Sequence, residues 1–145
     1  MAESVDYASL DVGDEAPETA LHVTVEAVRK FLKVYMGNEG QGSRFTDPDA
    51  AAAEGFDRKP VIPGPLGFVH LARTIVDWMP DARIEKLDVV YRSPTYLNTD
   101  YVRRAVITDR ADREGEIRFE MDVYIETLDG NRTQRGAAVV YVPRG

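Results

Sequence analysis

Few side chains in this sequence of 145 residues can exchange a proton with a substrate or a water molecule near neutral pH. There is no cysteine, and the two histidines, His22 and His70, lie far apart in the sequence. This composition excludes disulfides and thiolate metal sites, and the histidine spacing does not suggest a metal centre. His70 follows Phe68 and Val69 in a mostly apolar segment, where a lone histidine is either a packed core residue or a catalytic or ligand-contacting group.

Two carboxylates in or beside a glycine-rich polar segment, residues 38–46, are the other candidates for acid–base chemistry. Glu39 could act as a base if burial raised its pKa, and the alternative is a solvated loop residue. Asp47 precedes Pro48, so its side chain could cap a short helix, or it could take part in proton transfer. The sequence leaves these alternatives open for both residues.

Gly64 lies between two prolines at the start of a predicted helix. Glycine at a helix start allows a carbonyl oxygen to approach backbone N–H groups, which carry partial positive charge. We therefore predict a site for a carbonyl oxygen at Gly64, with a purely structural turn between Pro63 and Pro65 as the alternative.

Three helices are predicted ahead of a run of strands. In the first, apolar residues recur at helical spacing between Thr24, which can cap the helix, and Gly37, which can end it. A short second helix is expected to begin at Thr46 or Asp47. The third, residues 66–79, is apolar on nearly every side, which is typical of a buried helix.

Alternating and β-branched residues predict one short strand before the helices and four after them. Asp129-Gly130-Asn131 lies between the last two strands and is typical of a hairpin turn. This order predicts an α+β fold in which an antiparallel meander curls around the third helix. A single such sheet leaves an open edge and an exposed apolar flank, so we expect dimerisation. The predicted strands are residues 19–23, 83–92, 101–109, 116–126 and 133–142.

The composition is typical of one globular domain, which we expect over residues 1–145 with a polar lead-in at 1–17. The net charge of -7 and the pI near 4.8 argue against nucleic acid or an anionic membrane as the main partner. No stretch approaches ~18 consecutive apolar residues, so we expect neither a signal peptide nor a membrane span. The expected location is the cytoplasm.

Four segments of the sequence, in their order and spacing, resemble the MaoC-like (R)-specific enoyl-CoA hydratases and dehydratases. The resemblance runs from about Val12 onward and implies a hotdog fold, an antiparallel sheet wrapped around a long central helix. It also implies an acyl thioester of coenzyme A or of acyl carrier protein as the ligand, with no further cofactor. The segments are residues 46–56, 61–66, 89–94 and 136–143.

The acid–base pair of that family is missing from this sequence. The family motif reads Gly-Asp-x-Asn-Pro-apolar-His, followed by x-Asp-Pro, and its Asp and His activate the water that adds to the double bond. When the motif is aligned on Asp47 and Pro48, Phe45 stands where the family has histidine and Gly40 where it has aspartate. A slip of one residue would bring Glu39 to the aspartate position and restore half of the pair.

The resemblance also implies contacts with the ligand. A backbone N–H at the start of the central helix, near Gly64, would polarise the thioester carbonyl. Arg44 could pair with the phosphates of coenzyme A or with Asp47, or it could be a plain surface arginine. The residues implied for substrate binding are Asn38, Arg44, Phe45, Gly64, Leu66 and Phe68.

Three functions are compatible with these features. The first is a hotdog protein that binds acyl thioesters without its own acid–base pair, as a non-catalytic or partner-dependent subunit of a homodimer or of a heteromer with a hotdog paralogue. The second is an active hydratase, dehydratase or thioesterase that uses Glu39, Asp47 or His70. The third is a ligand-sensing or interaction module without chemistry. The loss of both groups from a retained scaffold favours the first.

Overall fold

A computed structural model describes residues 4–145 of the chain. Within this range lie one short 3₁₀ helix (Tyr7–Ser9), three α-helices and five strands. None of the helices in this range is long and apolar enough to cross a membrane. The helices are α1 (Val25–Met36), α2 (Pro48–Ala53) and α3 (Gly64–Trp78), and the strands are β1 (Thr19–His22), β2 (Arg83–Tyr91), β3 (Asp100–Arg113), β4 (Glu116–Thr127) and β5 (Arg132–Pro143).

The five strands form one antiparallel sheet in the order β1-β3-β4-β5-β2. The predicted meander is confirmed for β3, β4 and β5 but is wrong for β2, which pairs with β5 at the edge of the sheet. The link at residues 92–99 returns from this edge past the segment before α3, where Ile62 N donates to Thr95 O and Leu97 N donates to Pro60 O. Alternation along a strand indicates which face is buried but does not identify the neighbouring strand.

The central helix α3 packs one face against β2, β3 and β4. Leu66, Leu71 and Ile75 lie on this face and are almost fully buried, and each such side chain contributes about 1.5–3 kcal/mol by leaving water. The prediction that the helix is buried on every side is wrong for the isolated chain, because Phe68 is 40% and Val69 49% exposed on the opposite face. The predicted α+β hotdog arrangement, a sheet curled around one long helix, is confirmed.

The predicted ends of α1 are confirmed by its capping contacts. Thr24 Oγ1 accepts a hydrogen bond from Ala27 N at 3.2 Å, which pairs one of the free donors of the first turn. Gly37 ends the helix in a left-handed conformation. These two residues fix where α1 stops and where the glycine-rich loop, residues 38–46, begins.

The lead-in is packed against the domain more closely than its polar composition indicates. The Tyr7 side chain is buried and its hydroxyl donates to Asp81 Oδ2 at 2.9 Å. Further along, Gly13 N donates to Ile107 O, and Glu15 forms a β-bridge with Val106. The segment therefore pairs with the part of β3 that lies beyond the end of β1, while positions 1–3 of the predicted lead-in lie outside the described residues.

Candidate functional site

A solvent-accessible pocket of about 300 Å³ lies at the start of α3. Its wall combines the loop after α1, the loop after α2, the end of β2 with the link that follows, and the start of β5. The link lines it because β2 lies next to β5 and the chain must cross back past α3 to reach β3. The lining residues are Arg44, Phe45, Phe56, Val61, Ile62, Gly64, Tyr91, Arg92, Ser93, Pro94, Thr95 and Gln134.

None of these lining residues is a histidine, aspartate, glutamate, lysine or cysteine. Tyr91 is the lining side chain with the lowest ordinary pKa, and its hydroxyl donates to the carbonyl oxygen of Gly64 at 2.8 Å. Burial, and then the nearby Tyr35, raise the pKa of Tyr91 above its usual value, so the phenol stays neutral at pH 7. The guanidinium groups remain protonated. The described pocket can therefore bind and orient a ligand, but its lining holds no group that transfers a proton readily near neutral pH.

The backbone at the start of α3 offers a hydrogen-bond donor to the pocket. Leu66 N and Gly67 N both donate to the carbonyl oxygen of Pro63, at 3.0 and 3.2 Å. Pro65 has no N–H. The N–H of Gly64 is therefore the donor at this helix start that a ligand carbonyl could use.

The glycine-rich loop between α1 and α2 is closed around Gly40. Its carbonyl oxygen accepts hydrogen bonds from Ser43 Oγ and Thr46 Oγ1, both at 2.6 Å. Gly40 is buried with φ at 71°, and a Cβ atom built there would overlap with Cδ1 of Leu32. The position that the resemblance aligns with the family's aspartate has no room for a side chain in this conformation.

Three of the predicted site residues, Arg44, Phe45 and Gly64, meet in the pocket. Arg44 does not pair with Asp47, which corrects one of its predicted roles. Its Nη1 lies 2.9 Å from Oε1 of Glu54, and its guanidinium carbon lies 4.6 Å from the centre of the Phe45 ring. Because Glu54 is opposite in charge, this ion pair favours the position of the arginine over the aromatic ring at the pocket wall.

Three other candidates near the loop do not line this pocket. Asn38 Oδ1 accepts from Gly40 N at 2.9 Å, which stabilises the turn into the loop. Glu39 is half-exposed, and its Oε2 accepts from Gln41 Nε2 at 3.3 Å. Asp47 caps α2 by accepting from Asp49 N at 2.9 Å, which is the structural role predicted for it.

The remaining candidates lie on α3. Leu66 belongs to the core. Phe68 lines an apolar groove of about 490 Å³ that shares Gly64 and Tyr91 with the pocket. His70 is half-buried and lines neither cavity; burial, and then the charges of Arg103 and Arg73, lower its pKa. Across residues 4–145, no three His, Asp or Glu side chains converge on a possible metal position.

The buried polar residues Thr95, Thr133 and Gln134 were not among the site residues predicted from the sequence. Thr95 and Gln134 line the pocket, Thr133 lies beside Thr95, and all three are only 2–3% exposed. The polar run at residues 132–135 at the start of β5 favours an exposed position, so it gave no signal that Thr133 and Gln134 are buried. Thr95 gave no such signal either, because only the crossing of the link at residues 92–99 places it beside β5.

Comparison of the sequence with models of protein families finds no match, and comparison with curated proteins finds none. Among solved structures, the chain is similar to the (R)-hydratase from A. caviae involved in PHA biosynthesis, with 23% identity and a TM-score of 0.78 over 93% of this chain and 98% of that chain. It is also similar to the MaoC-like dehydratase from Rhodospirillum rubrum, with 18% identity and a TM-score of 0.80 over 98% and 99%.

A third similar structure is the C-terminally truncated HadBC (3R-hydroxyacyl-ACP dehydratase) complex from Mycobacterium tuberculosis. It shares 16% identity at a TM-score of 0.73, over 92% of this chain and 98% of that chain. At these identities the likeness establishes the fold. The structural neighbours of this chain are MaoC-like hydratases and dehydratases, and the chain has the hotdog fold that they share.

Proposed function

We propose that this chain binds acyl thioesters in the pocket at the start of α3 and lacks an acid–base pair of its own. The observation that carries this proposal is the pocket lining, in which Phe45 stands at the family's histidine position and no lining residue is a histidine or a carboxylate. The overlap at Gly40 supports the proposal further, because a side chain at the family's aspartate position would collide with Leu32 of α1. The chain is then a non-catalytic or partner-dependent subunit.

The proposed ligand lies across the boundary between the pocket and the apolar groove. Its thioester carbonyl accepts a hydrogen bond from the N–H of Gly64, at the positive end of the α3 dipole. The acyl chain extends along the groove, whose wall of Phe31, Tyr35 and Phe68 is almost wholly apolar. Arg44 lies at the pocket wall, where it can attract the phosphates of coenzyme A or of acyl carrier protein.

The proposed partner is a second hotdog chain, either another copy of this chain or a paralogue that keeps the acid–base pair. Two features support a partner: β2 leaves one edge of the sheet unpaired, and the exposed face of α3 presents Phe68 and Val69. The similar HadBC structure is itself a complex. A paralogue could supply the proton-transferring groups while this chain supplies binding surface.

Calorimetric titration with butyryl-coenzyme A tests the proposed binding. Ser93 is half-buried in the pocket wall, so Ser93→Trp fills the pocket, while Thr108→Trp places the same bulk on an exposed part of β3. We expect wild type and Thr108→Trp to bind alike and Ser93→Trp to bind at least about tenfold more weakly. An absence of binding to wild type, or equal binding to the two variants, would overturn the proposal.

A further inference from the structure

A second cavity, of about 400 Å³, lies at the other end of α3 from the proposed thioester pocket. It is bounded by the last turns of α3, the start of β1 and the lead-in. Among the described residues it shares no lining residue with the pocket or with the apolar groove. Val5, Pro17 and Trp78 give one part of its wall an apolar surface. The polar part of the wall includes Thr19, Thr74 and Asp77.

A buried arginine, Arg103, lies behind the polar part of this wall. It is 8% exposed and pairs across the β1–β3 ladder with Thr19. Its Nη1 donates to Thr74 Oγ1 at 3.3 Å and to the carbonyl oxygen of His70 at 3.4 Å. Hydrogen bonds from a guanidinium are normally about 2.7–2.9 Å long when the acceptor is charged. The buried charge of Arg103 is therefore held by long contacts with neutral acceptors.

The other edge of the Arg103 guanidinium, formed by Nε and Nη2, lacks a close acceptor. Nε is out of contact with solvent and has no hydrogen-bond partner among residues 4–145. Nη2 lies 3.7 Å from Oδ2 of Asp77, whose Oδ1 lies 2.7 Å from Nε of Arg73. Nε and Nη2 are parallel donors of the kind with which an arginine binds one carboxylate through two hydrogen bonds. Because Nη2 lies beside Asp77, this edge faces the second cavity.

The charges around this edge leave it one negative charge short. Arg73, Arg103 and Asp77 together carry a net charge of +1. Burial is the largest influence on the pKa of Arg103 and lowers it, so the charged form is poorly compensated where it lies. The two arginines also lower the pKa of His70, after burial, as a positive potential would. A buried charge without a partner is costly, and an anion beside Arg103 would offset that cost.

We propose that the second cavity binds a small organic carboxylate, whose charged group pairs with the Nε–Nη2 edge of Arg103 and whose apolar part packs against Trp78. A carboxylate brings the single negative charge that the site lacks and matches the two parallel donors. A phosphate with two charges would leave a buried negative charge in excess. This site is independent of the proposed thioester site, so either proposal can fail without the other.

The first test uses the fluorescence of Trp78, which is the only tryptophan of the chain and lines the second cavity but not the acyl groove. Hexanoate is titrated into the wild-type chain beside hexan-1-ol and hexylammonium, which have the same apolar chain and a different head group. We expect hexanoate to give a saturable change and to bind at least about tenfold more tightly than the other two. No saturable change with hexanoate, or equal affinity for all three, would overturn the proposal.

The second test assigns the contact to Arg103. Arg103→Met removes the two donors and should weaken hexanoate binding at least about tenfold. Arg113→Gln removes the same charge from the exposed end of β3 and should change the affinity by less than about twofold. Equal affinity in wild type and Arg103→Met would overturn the proposal.

A third variant tests the sign of the ligand charge and does not depend on the folding of Arg103→Met. Asp77→Asn removes the carboxylate that competes for Arg103, and the exposed ion pair with Arg73 that it breaks contributes little to stability. We expect Asp77→Asn to bind hexanoate at least about threefold more tightly than wild type. Unchanged or weaker binding of hexanoate in this variant would overturn the proposal.

Discussion

Gly40 and Leu32 lie so close together that a Cβ atom on the glycine would overlap with Cδ1 of the leucine. Leu32 is 1% exposed, because it belongs to the inward face of α1. The loop also gives Gly40 a left-handed conformation that other residues adopt only at a cost. Sequence alignment and packing thus agree that this position carries no side chain, which supports the proposal that the acid–base pair is absent.

The contact between Gly40 and Leu32 predicts a large difference between two similar substitutions. Gly40→Ala and Gly42→Ala both place alanine at positive φ, but a Cβ atom at Gly42 meets nothing within 4 Å. We expect Gly42→Ala to lower the free energy of unfolding by about 1–2 kcal/mol through backbone strain. Gly40→Ala should lower it by about 1–3 kcal/mol more, because of the overlap. Urea denaturation measures both, and equal losses would show that the loop moves freely away from α1.

A double-mutant cycle tests the contact between Gly67 and Gln134. Alanine is favoured over glycine within a helix by about 0.8–1 kcal/mol, yet Gly67→Ala should destabilise the protein because its Cβ overlaps with the Gln134 amide. In a Gln134→Ala background the same change should be neutral or stabilising, which gives a coupling energy of about 1–3 kcal/mol. Additive effects in denaturant unfolding would mean that the two residues do not touch.

Asp47 provides a test of a structural role against a catalytic one. Its carboxylate caps α2 through Asp49 N. Asp47→Ala should therefore cost about 1 kcal/mol of unfolding free energy, whereas Asp47→Asn, which can cap equally well, should change it by only a few tenths. Thioester affinity should be the same in the Asn variant and in wild type. A stable Asn variant that no longer binds the thioester would assign the carboxylate to the ligand.

The lowered pKa of His70 predicts that the folded chain loses stability in mild acid. Burial, followed by Arg103 and Arg73, lowers the pKa of His70 in the folded chain below the ordinary value of 6.5. The unfolded chain therefore takes up the proton first as the pH falls through about 6.5, so the free energy of unfolding decreases below that pH and is unaffected by His70 above it. His70→Gln should lose less stability than wild type between about pH 7.5 and pH 5.5.

Denaturation midpoints at the two pH values measure this difference. His22→Gln is the histidine control, because the His22 ring lies on the exposed part of β1. The account of His70 would be wrong if wild type and His70→Gln lost the same stability over this pH range.

The sequence predicted the helices and strands well because periodicity and caps are local properties. Thr24 and Gly37 mark the ends of α1 in the sequence and in the structure alike. The place of β2 beside β5 could not be predicted in this way, since strand pairing depends on the path of the link at residues 92–99. The same crossing places Thr95 beside Gln134. Local patterns could therefore not predict the polar floor of the pocket, whereas Phe45 was found from the resemblance and Gly64 from its position at the start of a helix.

The prediction for α3 failed in an instructive way. Its apolar residues surround the helix, and the isolated chain buries only the side that faces the sheet. Phe68 and Val69 remain exposed because nothing in the described chain covers them. An exposed apolar patch of this kind is typical of a surface to which another molecule binds, and the proposed second hotdog chain would account for it.

The measurement that tests the central claim most directly is the hydration of crotonyl-coenzyme A by the purified chain alone. The loss of the enoyl-thioester absorbance reports the reaction, and the binding of the same thioester is measured in parallel. We predict that wild type and the variants Glu39→Gln, Asp47→Asn and His70→Ala all bind the thioester and that none of them turns it over. Turnover by wild type that collapses in one of these variants would contradict the account, because it would show that the chain carries a catalytic group of its own.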